Sequence, residues 1–341
     1  MTGLKICTIG FVAAIASAAI SSAPVAAQNA ALDAHIAGAK AAAQQDQMGL
    51  FTYLCSETPS GPGTGRAGAT GQRQGQPPAS PATPATPPAP PDRAQWHVEP
   101  MKVFDNLYFV GMKDVSAWAL TTSAGIVVID ALYDYSVDDE IAEGLKKVGL
   151  KPEDIKYVIV SHGHGDHSAG AKYLQDRFQA RVMLSDTDWG LVGRGRGAKP
   201  TRDLVATDGQ KLTIGDTTIT MYITPGHTPG TISYLIPVKD NGRPHLVAEW
   251  GGTAFNFPRT PENFRTYAAS AARFGEIATR AGADALISNH SDFDGSKVKI
   301  PALRARKPGD PNPYVIGTDS VTRYMKVAEE CARAWQERVQ R

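Results

Sequence analysis

Cysteine is scarce in this chain of 341 residues: there are three, Cys7, Cys55 and Cys331, and none between the last two. Three thiols exclude a disulfide-stapled miniprotein and any zinc ribbon built on four thiolates. An excess of charge of one sign is also missing. Lys and Arg total 35 against 34 Asp and Glu, a net charge of +1. That balance offers no electrostatic footprint for nucleic acid or an acidic lipid surface, so neither is expected as a partner. Hydrophobic residues make up 42% and aromatics 8%, the composition of a soluble globular chain. The 33 glycines and 24 prolines are unevenly placed, and that unevenness divides the chain.

Residues 1–27 read as an export signal. Lys5 is the only charge before an apolar run from Ile6 to Ile20, and Pro24-Val25-Ala26-Ala27 supplies small residues for cleavage after Ala27. The rival reading, a retained anchor, is weaker because the run is short for a span and rich in Ala and Ser. Export predicts a periplasmic or secreted protein with no membrane attachment after cleavage, in which Cys55 and Cys331 either pair or stay free. Residues 28–55 form an Ala-rich helical extension, with Leu32, Ile36, Ala39 and Ala43 near helical spacing. Residues 56–92 hold ten prolines and almost no large apolar side chains. Such a segment buries too little surface to offset its ordering entropy, which predicts a disordered or polyproline-like linker.

Residues 93–341 form the remaining body, including a C-terminal amphipathic helix over Asp319–Val339. Strand-like runs occupy 103–112, 117–122, 125–130, 157–160, 180–184, 211–214, 218–223, 231–238, 245–249 and 285–288. Helices are expected over 136–148, where the start resembles a capping box, and over 169–178 and 261–281. Strand runs with interposed helices in both halves suggest two sheets sandwiched by helices.

The chemistry concentrates in Ser161-His162-Gly163-His164-Gly165-Asp166-His167, directly after an apolar strand. Glycines at 163 and 165 let the chain turn sharply, so that four ligand-type side chains can converge from one loop. Imidazoles and a carboxylate without thiolate suit Zn²⁺ and favour a catalytic over a structural site. His227, in Thr224-Pro225-Gly226-His227-Thr228-Pro229-Gly230, and His290, in Leu286-Ile287-Ser288-Asn289-His290, each follow a strand and fit the same site. His35, His97 and His245 read as structural or surface residues.

These motifs resemble the metallo-β-lactamase-fold metallohydrolases over roughly Val98 to Ile300. The resemblance implies an α/β fold, an αββα sandwich with the metals at one edge of the two sheets. It implies two Zn²⁺ per chain: one on His162, His164 and His227, the other on Asp166, His167 and His290. Asp130, closing Gly125-Ile126-Val127-Val128-Ile129-Asp130, matches the family's buried Asp that supports the metal loop.

One departure narrows the branch. Lactonases, glyoxalase II-like thioesterases and phosphodiesterases of this fold carry Gly-Asp-x-x-Phe, whose Asp bridges both metals. Here the stretch is Gly251-Gly252-Thr253-Ala254-Phe255, with Gly252 in the Asp position. Two β-lactamase subclasses place a Cys thiolate on the second metal, and no cysteine is present to do so. The remaining ligand set resembles subclass B3, as does the opening strand Pro100–Gly111. Glu249, Asp292 and Asp294 are other carboxylates that could approach the metals and restore the lactonase reading.

The resemblance therefore implies an exported dizinc hydrolase that opens a β-lactam ring, the metals turning water into the attacking hydroxide and Asp166 both ligating and orienting it. The alternative is the same machinery acting on lactones, esters or other amides. Either way the partner is a small-molecule substrate. Its contacts are expected from the loops Leu132–Tyr135, Trp189–Arg202 and Thr253–Phe257, with Arg194 and Arg196 as candidates for a substrate carboxylate. Oligomeric state is not fixed by the sequence.

Overall fold

The computed structural model describes residues 23–56, 89–195 and 197–340. The expected export signal up to residue 22 and residues 57–88 of the expected linker lie outside the described residues. Strands β1 (Met101–Phe104), β2 (Leu107–Phe109), β3 (Trp118–Thr122), β4 (Gly125–Ile129), β5 (Ile155–Ile159), β6 (Arg181–Ser185) and β7 (Leu204–Ala206) follow one another in a seven-stranded sheet. It is antiparallel from β1 to β4 and parallel from β4 to β7. The second sheet runs β12-β11-β10-β9-β8, from β8 (Lys211–Ile214), β9 (Thr217–Ile223), β10 (Ile232–Asp240), β11 (Arg243–Trp250) and β12 (Ala285–Ser288). Only its β11–β12 pair is parallel.

The helices are α1 (Ala23–Ala43), α2 (Met48–Cys55), α3 (Arg93–Trp96), α4 (Glu143–Lys147), α5 (Gly165–Ser168), α6 (Ala171–Phe178), α7 (Asp186–Arg194), α8 (Pro261–Ala281), α9 (Ser296–Ala305) and α10 (Thr318–Val339). Alternation along the strands sorts side chains into layers. Val127 and Ile129 of β4 meet Ile232, Tyr234 and Ile236 of β10 between the sheets. Ile126 and Val128 face the opposite way, into the core that holds Leu145 and Leu174. On the outer face of the second sheet, Trp250 packs with Phe264, Tyr267 and Phe274 of α8 and Tyr324 and Met325 of α10. This is the expected αββα sandwich, and strands covered on both faces explain the unbroken apolar run of β4.

Several elements differ from expectation. The strand over 103–112 is a hairpin, turning at Asp105-Asn106 between β1 and β2. The N-terminal helix breaks into two, with a turn around Gln44, whose φ is 46°. The segment 136–148 opens as a π-helical turn, Asp138–Ala142, with no side-chain cap in place of the expected capping box. By contrast α8 has its signals in place: the Thr260 side chain accepts from Asn263 N, Pro261 opens the helix and Gly282 closes it in the left-handed region. Leu50, Leu54 and Cys55 of α2 share the core of α8 and α10, and Cys55 is disulfide-bonded to Cys331 of α10.

Candidate metal centre

The site lies where β4, β5, β9 and β12 end and β10 begins. Leaving β4, Asp130 adopts φ 61° and turns its carboxylate back onto the metal loop. One oxygen accepts from Ser161 N at 2.6 Å; the other accepts from Ser161 Oγ at 2.9 Å and pairs with His167 Nδ1 at 2.8 Å. The loop after β5 then presents His162, His164, Asp166 and His167. His227 enters on the turn between β9 and β10, and His290 on the loop after β12.

Six of the sequence-predicted side chains converge. His227 Nε2 lies 3.0 Å from His162 Nε2 and 3.1 Å from His164 Nδ1. Tetrahedral zinc with 2.0–2.1 Å bonds to nitrogen separates its ligands by roughly 3.3 Å, so the triad has the spacing of a metal face. In the second group, His167 Nε2 stands 3.2 Å from His290 Nε2, and Asp166 Oδ2 stands 3.4 Å and 3.6 Å from those two nitrogens. The groups adjoin through His162, which offers a ligand atom within 4.8 Å of those of Asp166 and His167.

The second nitrogen of three rings is tied to a backbone carbonyl. His162 Nδ1 faces Gly251 O at 3.0 Å, His227 Nδ1 faces Ala254 O at 2.6 Å, and His290 Nδ1 faces Asp114 O at 2.9 Å. Carbonyl partners place the proton on those nitrogens and leave the others as lone pairs aimed at the centre. Burial, followed by neighbouring imidazoles, pushes His162 and His290 below the ordinary histidine range and His227 down to about 3. Burial opposes charge on Asp166 too, but His167, His290 and His164 hold its carboxyl well below the usual range. His167 differs: burial disfavours its charge, yet Asp166 and Asp130 raise it to about 10. Neutral imidazoles, one ionised carboxylate and a point where positive charge is favoured fit a divalent cation.

Sequence reading missed Asp188 and Asn289. Asp188, in the first turn of α7, accepts from Gly163 N at 2.7 Å and Gly230 N at 3.0 Å, and from Thr228 Oγ1 at 2.7 Å. It thereby clips the His162 loop to the His227 turn. Nothing in the sequence marked it, because an Asp just ahead of the expected Trp189–Arg202 loop has no ligand-like spacing to the histidines. Asn289 Nδ2 donates to Gly251 O at 2.7 Å and to Ser161 Oγ at 3.2 Å.

The doubtful carboxylates are engaged elsewhere or set apart. Asp292 pairs with Lys297 at 2.7 Å, and Asp294 accepts from Ser288 N and Ser296 N. Glu249 is buried and joins neither ligand group. His35, His97 and His245 pair with Glu330, Glu140 and Asp284 respectively, away from the centre.

Of the expected substrate loops, Tyr133 and Tyr135 stack 5.0 Å apart, and the charge of Asp166 acts on both. Much of Trp189–Arg202 is helical rather than loop: Trp189 is buried in α7 and Arg194 is exposed at its end. Arg196 lies outside the described residues. Phe255 and Phe257 turn inward onto Phe264 and Tyr267 instead of standing free. No helix of the described residues is long and apolar enough to cross a membrane.

Residues 110–240 match the metallo-beta-lactamase superfamily. The chain is 26% identical over 208 residues to a hydroxyacylglutathione hydrolase of Acidiphilium cryptum, covering 58% of this chain and 77% of that one. It is 29% identical over 124 residues to an N-acyl homoserine lactonase of Bacillus cereus, covering 35% of this chain and 48% of the lactonase. Among solved structures it resembles BJP-1, a subclass B3 metallo-beta-lactamase of Bradyrhizobium japonicum, with TM-score 0.59, 27% identity and coverage of 68% and 91%. Residues 110–240 thus match the metallo-beta-lactamase superfamily, and the chain has the metallo-β-lactamase fold, resembling the subclass B3 enzyme BJP-1 in structure.

Proposed function

We propose that the protein is an exported dizinc hydrolase that opens β-lactam rings. One observation carries the choice of branch: the position of a bridging carboxylate is sealed. A Cβ on Gly252 would lie 2.4 Å from Cβ of His227, and one on Gly251 would lie 1.8 Å from Ile232 O. Neither position accepts a side chain, so the donors are three histidines beside one aspartate and two histidines, the pattern of subclass B3.

His162, His164 and His227 would hold one zinc, and Asp166, His167 and His290 the other. When bound, the pair supplies Lewis acidity toward a carbonyl and brings water near its deprotonation point at neutral pH. The protein's own part is orientation. The Gly251, Ala254 and Asp114 carbonyls fix three rings, and Asp130 fixes the ring of His167. The carboxylate of Asp166 reaches the second group and would orient the attacking water by accepting a hydrogen bond from it. The stacked Tyr133 and Tyr135 border the same space and provide a flat wall for substrate. The Cys55–Cys331 disulfide supports export, because such links persist in oxidising compartments. A periplasmic or secreted location follows from the same reading.

A second reading, hydrolysis of a lactone or thioester, is favoured by the named activities of the curated relatives. Purified, zinc-loaded protein assayed on penicillin, cephalosporin, carbapenem, acyl-lactone and acyl-thioester substrates separates the two. β-Lactam turnover abolished by chelator is expected. Efficient lactone opening without β-lactam turnover overturns the first reading, and activity indifferent to chelator overturns the metal assignment.

A further inference from the structure

Between the two sheets sits a carboxylate with no hydrogen-bond partner among the described residues. Glu249 of β11 is completely buried, and neither of its side-chain oxygens makes a hydrogen bond. Its register partner across the β10–β11 ladder is Tyr234, also completely buried, whose hydroxyl likewise has no hydrogen-bond partner among the described residues. Directly opposed residues of an antiparallel pair share one face of the sheet. Here that face is the inter-sheet core, which takes Tyr234 together with Val247, two residues before Glu249. The charge of Asp130 acts on both Glu249 and Tyr234, so the pair lies in the neighbourhood of the support for His167.

Three orphaned polar atoms in one dry layer would be a heavy and avoidable cost, since native proteins satisfy almost all buried polar groups. A polar guest accounts for them. A hard cation such as Ca²⁺ requires six to eight oxygen ligands, and this pair offers three. A water molecule requires two to four polar partners, which the pair supplies. We infer that Glu249 and Tyr234 line a buried water site between the sheets, separate from the metal ligands. In it Glu249 stands as a neutral acid, its O–H donating a hydrogen bond to the water while Tyr234 makes the complementary contact. The groups facing Glu249 agree. Burial is the main cause raising its carboxyl, Asp130 at the end of β4 and Asp294 after β12 add to it, and only His167 of α5 opposes.

A high-resolution crystal structure of the zinc-loaded protein, grown in the presence of Rb⁺, tests the site. One or more waters within hydrogen-bond distance of Glu249 and Tyr234 Oη are expected. A direct Glu249–Tyr234 bond with no guest, or anomalous Rb⁺ density there, overturns the inference. Stability supplies an independent arm. An acid kept neutral when folded but ionised when unfolded costs stability progressively above its ordinary pKa. Glu249→Gln should therefore gain on the parent chain as pH rises from 5 to 8, by up to tenfold in the folding constant per unit. A gap that stays flat with pH overturns the neutral acid, and Tyr234→Phe should keep the pH trend while losing one contact to the water. Neither readout depends on which substrate the enzyme hydrolyses.

Discussion

The carboxylate of Asp188 joins two ligand-bearing segments that are far apart in sequence: one oxygen accepts from Thr228 Oγ1 at 2.7 Å and also from Gly163 N at 2.7 Å. Its other oxygen takes Gly230 N at 3.0 Å. Asp188 is buried, so no water replaces it when it is removed. Asp188→Ala should leave Gly163 N and Gly230 N unpaired, with Thr228 Oγ1 falling back on Thr231 Oγ1 at 2.9 Å, and cost about 3 kcal/mol. Asp188→Asn keeps the volume but turns an N–H₂ group toward donors, so it should rescue little. Metal content should fall first at the His162, His164 and His227 group, seen as a changed Co²⁺ spectrum before any loss of fold. An unchanged spectrum and melting temperature would show that the two segments hold themselves in place.

The proposed choice of branch rests on Gly252 and His227, and their crowding is directly testable. Gly252→Ala places a methyl 2.4 Å from Cβ of His227, which the turn can relieve only by withdrawing the ring. One bound zinc of two should be lost and activity should fall on the order of 100-fold, in the range seen when metal-site support is disturbed. Gly252→Asp should do no better, even though it restores the carboxylate usual in lactonases. A Gly252→Asp variant that binds two zincs and opens lactones would show that the backbone can yield, and would return the protein to the lactonase branch.

Much of this centre is legible in the sequence because its ligands arrive on strand ends flanked by Gly and Pro. The cluster 162–167, His227 and His290 stand out without coordinates. What holds them does not. Gly251, Ala254 and Asp114 contribute backbone carbonyls, which have no residue signature, and Asp188 and Asn289 act across long sequence separations. The hairpin β1–β2 was hidden because Asp105-Asn106 is a short turn inside one apolar run. The helix break at Gln44 was hidden because no proline marks it: Ala41-Ala42-Ala43 precede it and Met48, Leu50 and Leu54 follow, all good helix formers. The inter-sheet position of Glu249 was equally invisible: it reads as a carboxylate that could approach the metals, and only the register of β11 turns it into the core between the sheets.

Acid should loosen the N-terminal helices before the sandwich. Asp46, in the turn between α1 and α2, bonds Arg323 of α10 at 2.7 Å, and that bond is the main cause lowering its carboxyl from 3.8 to about 2. A folded value below the unfolded one means the contribution is complete above about pH 4 and disappears as pH falls toward 2. The pair is partly exposed, so solvent screening keeps it to about 1 kcal/mol or less. Asp46→Asn should lower the urea midpoint slightly at pH 6 and not at all at pH 2. Equal loss at both values would assign the effect to packing instead of charge.

The disulfide should carry more of this region's stability than any ion pair. Cys55 and Cys331 are separated by 276 residues, and a loop of that size corresponds to about 5 kcal/mol of lost unfolded-state entropy as an upper figure. Other contacts also hold α2: Trp335 Nε1 donates to Leu54 O at 2.8 Å, and Gln47 Nε2 donates to Ser320 Oγ at 3.0 Å. Reduction should therefore leave the native fold standing at room temperature while lowering the melting temperature on the order of 10 °C. The consequence reaches the metal centre, because Tyr53 of α2 packs 4.9 Å from Phe293, whose ring lies 5.7 Å from His290. In the Cys55→Ser, Cys331→Ser double variant, zinc bound near His290 should be lost on heating before the sandwich unfolds. Calorimetry with parallel metal release measures both events. Their coincidence in a single transition would mean that the N-terminal helices do not steady the site independently of the global fold.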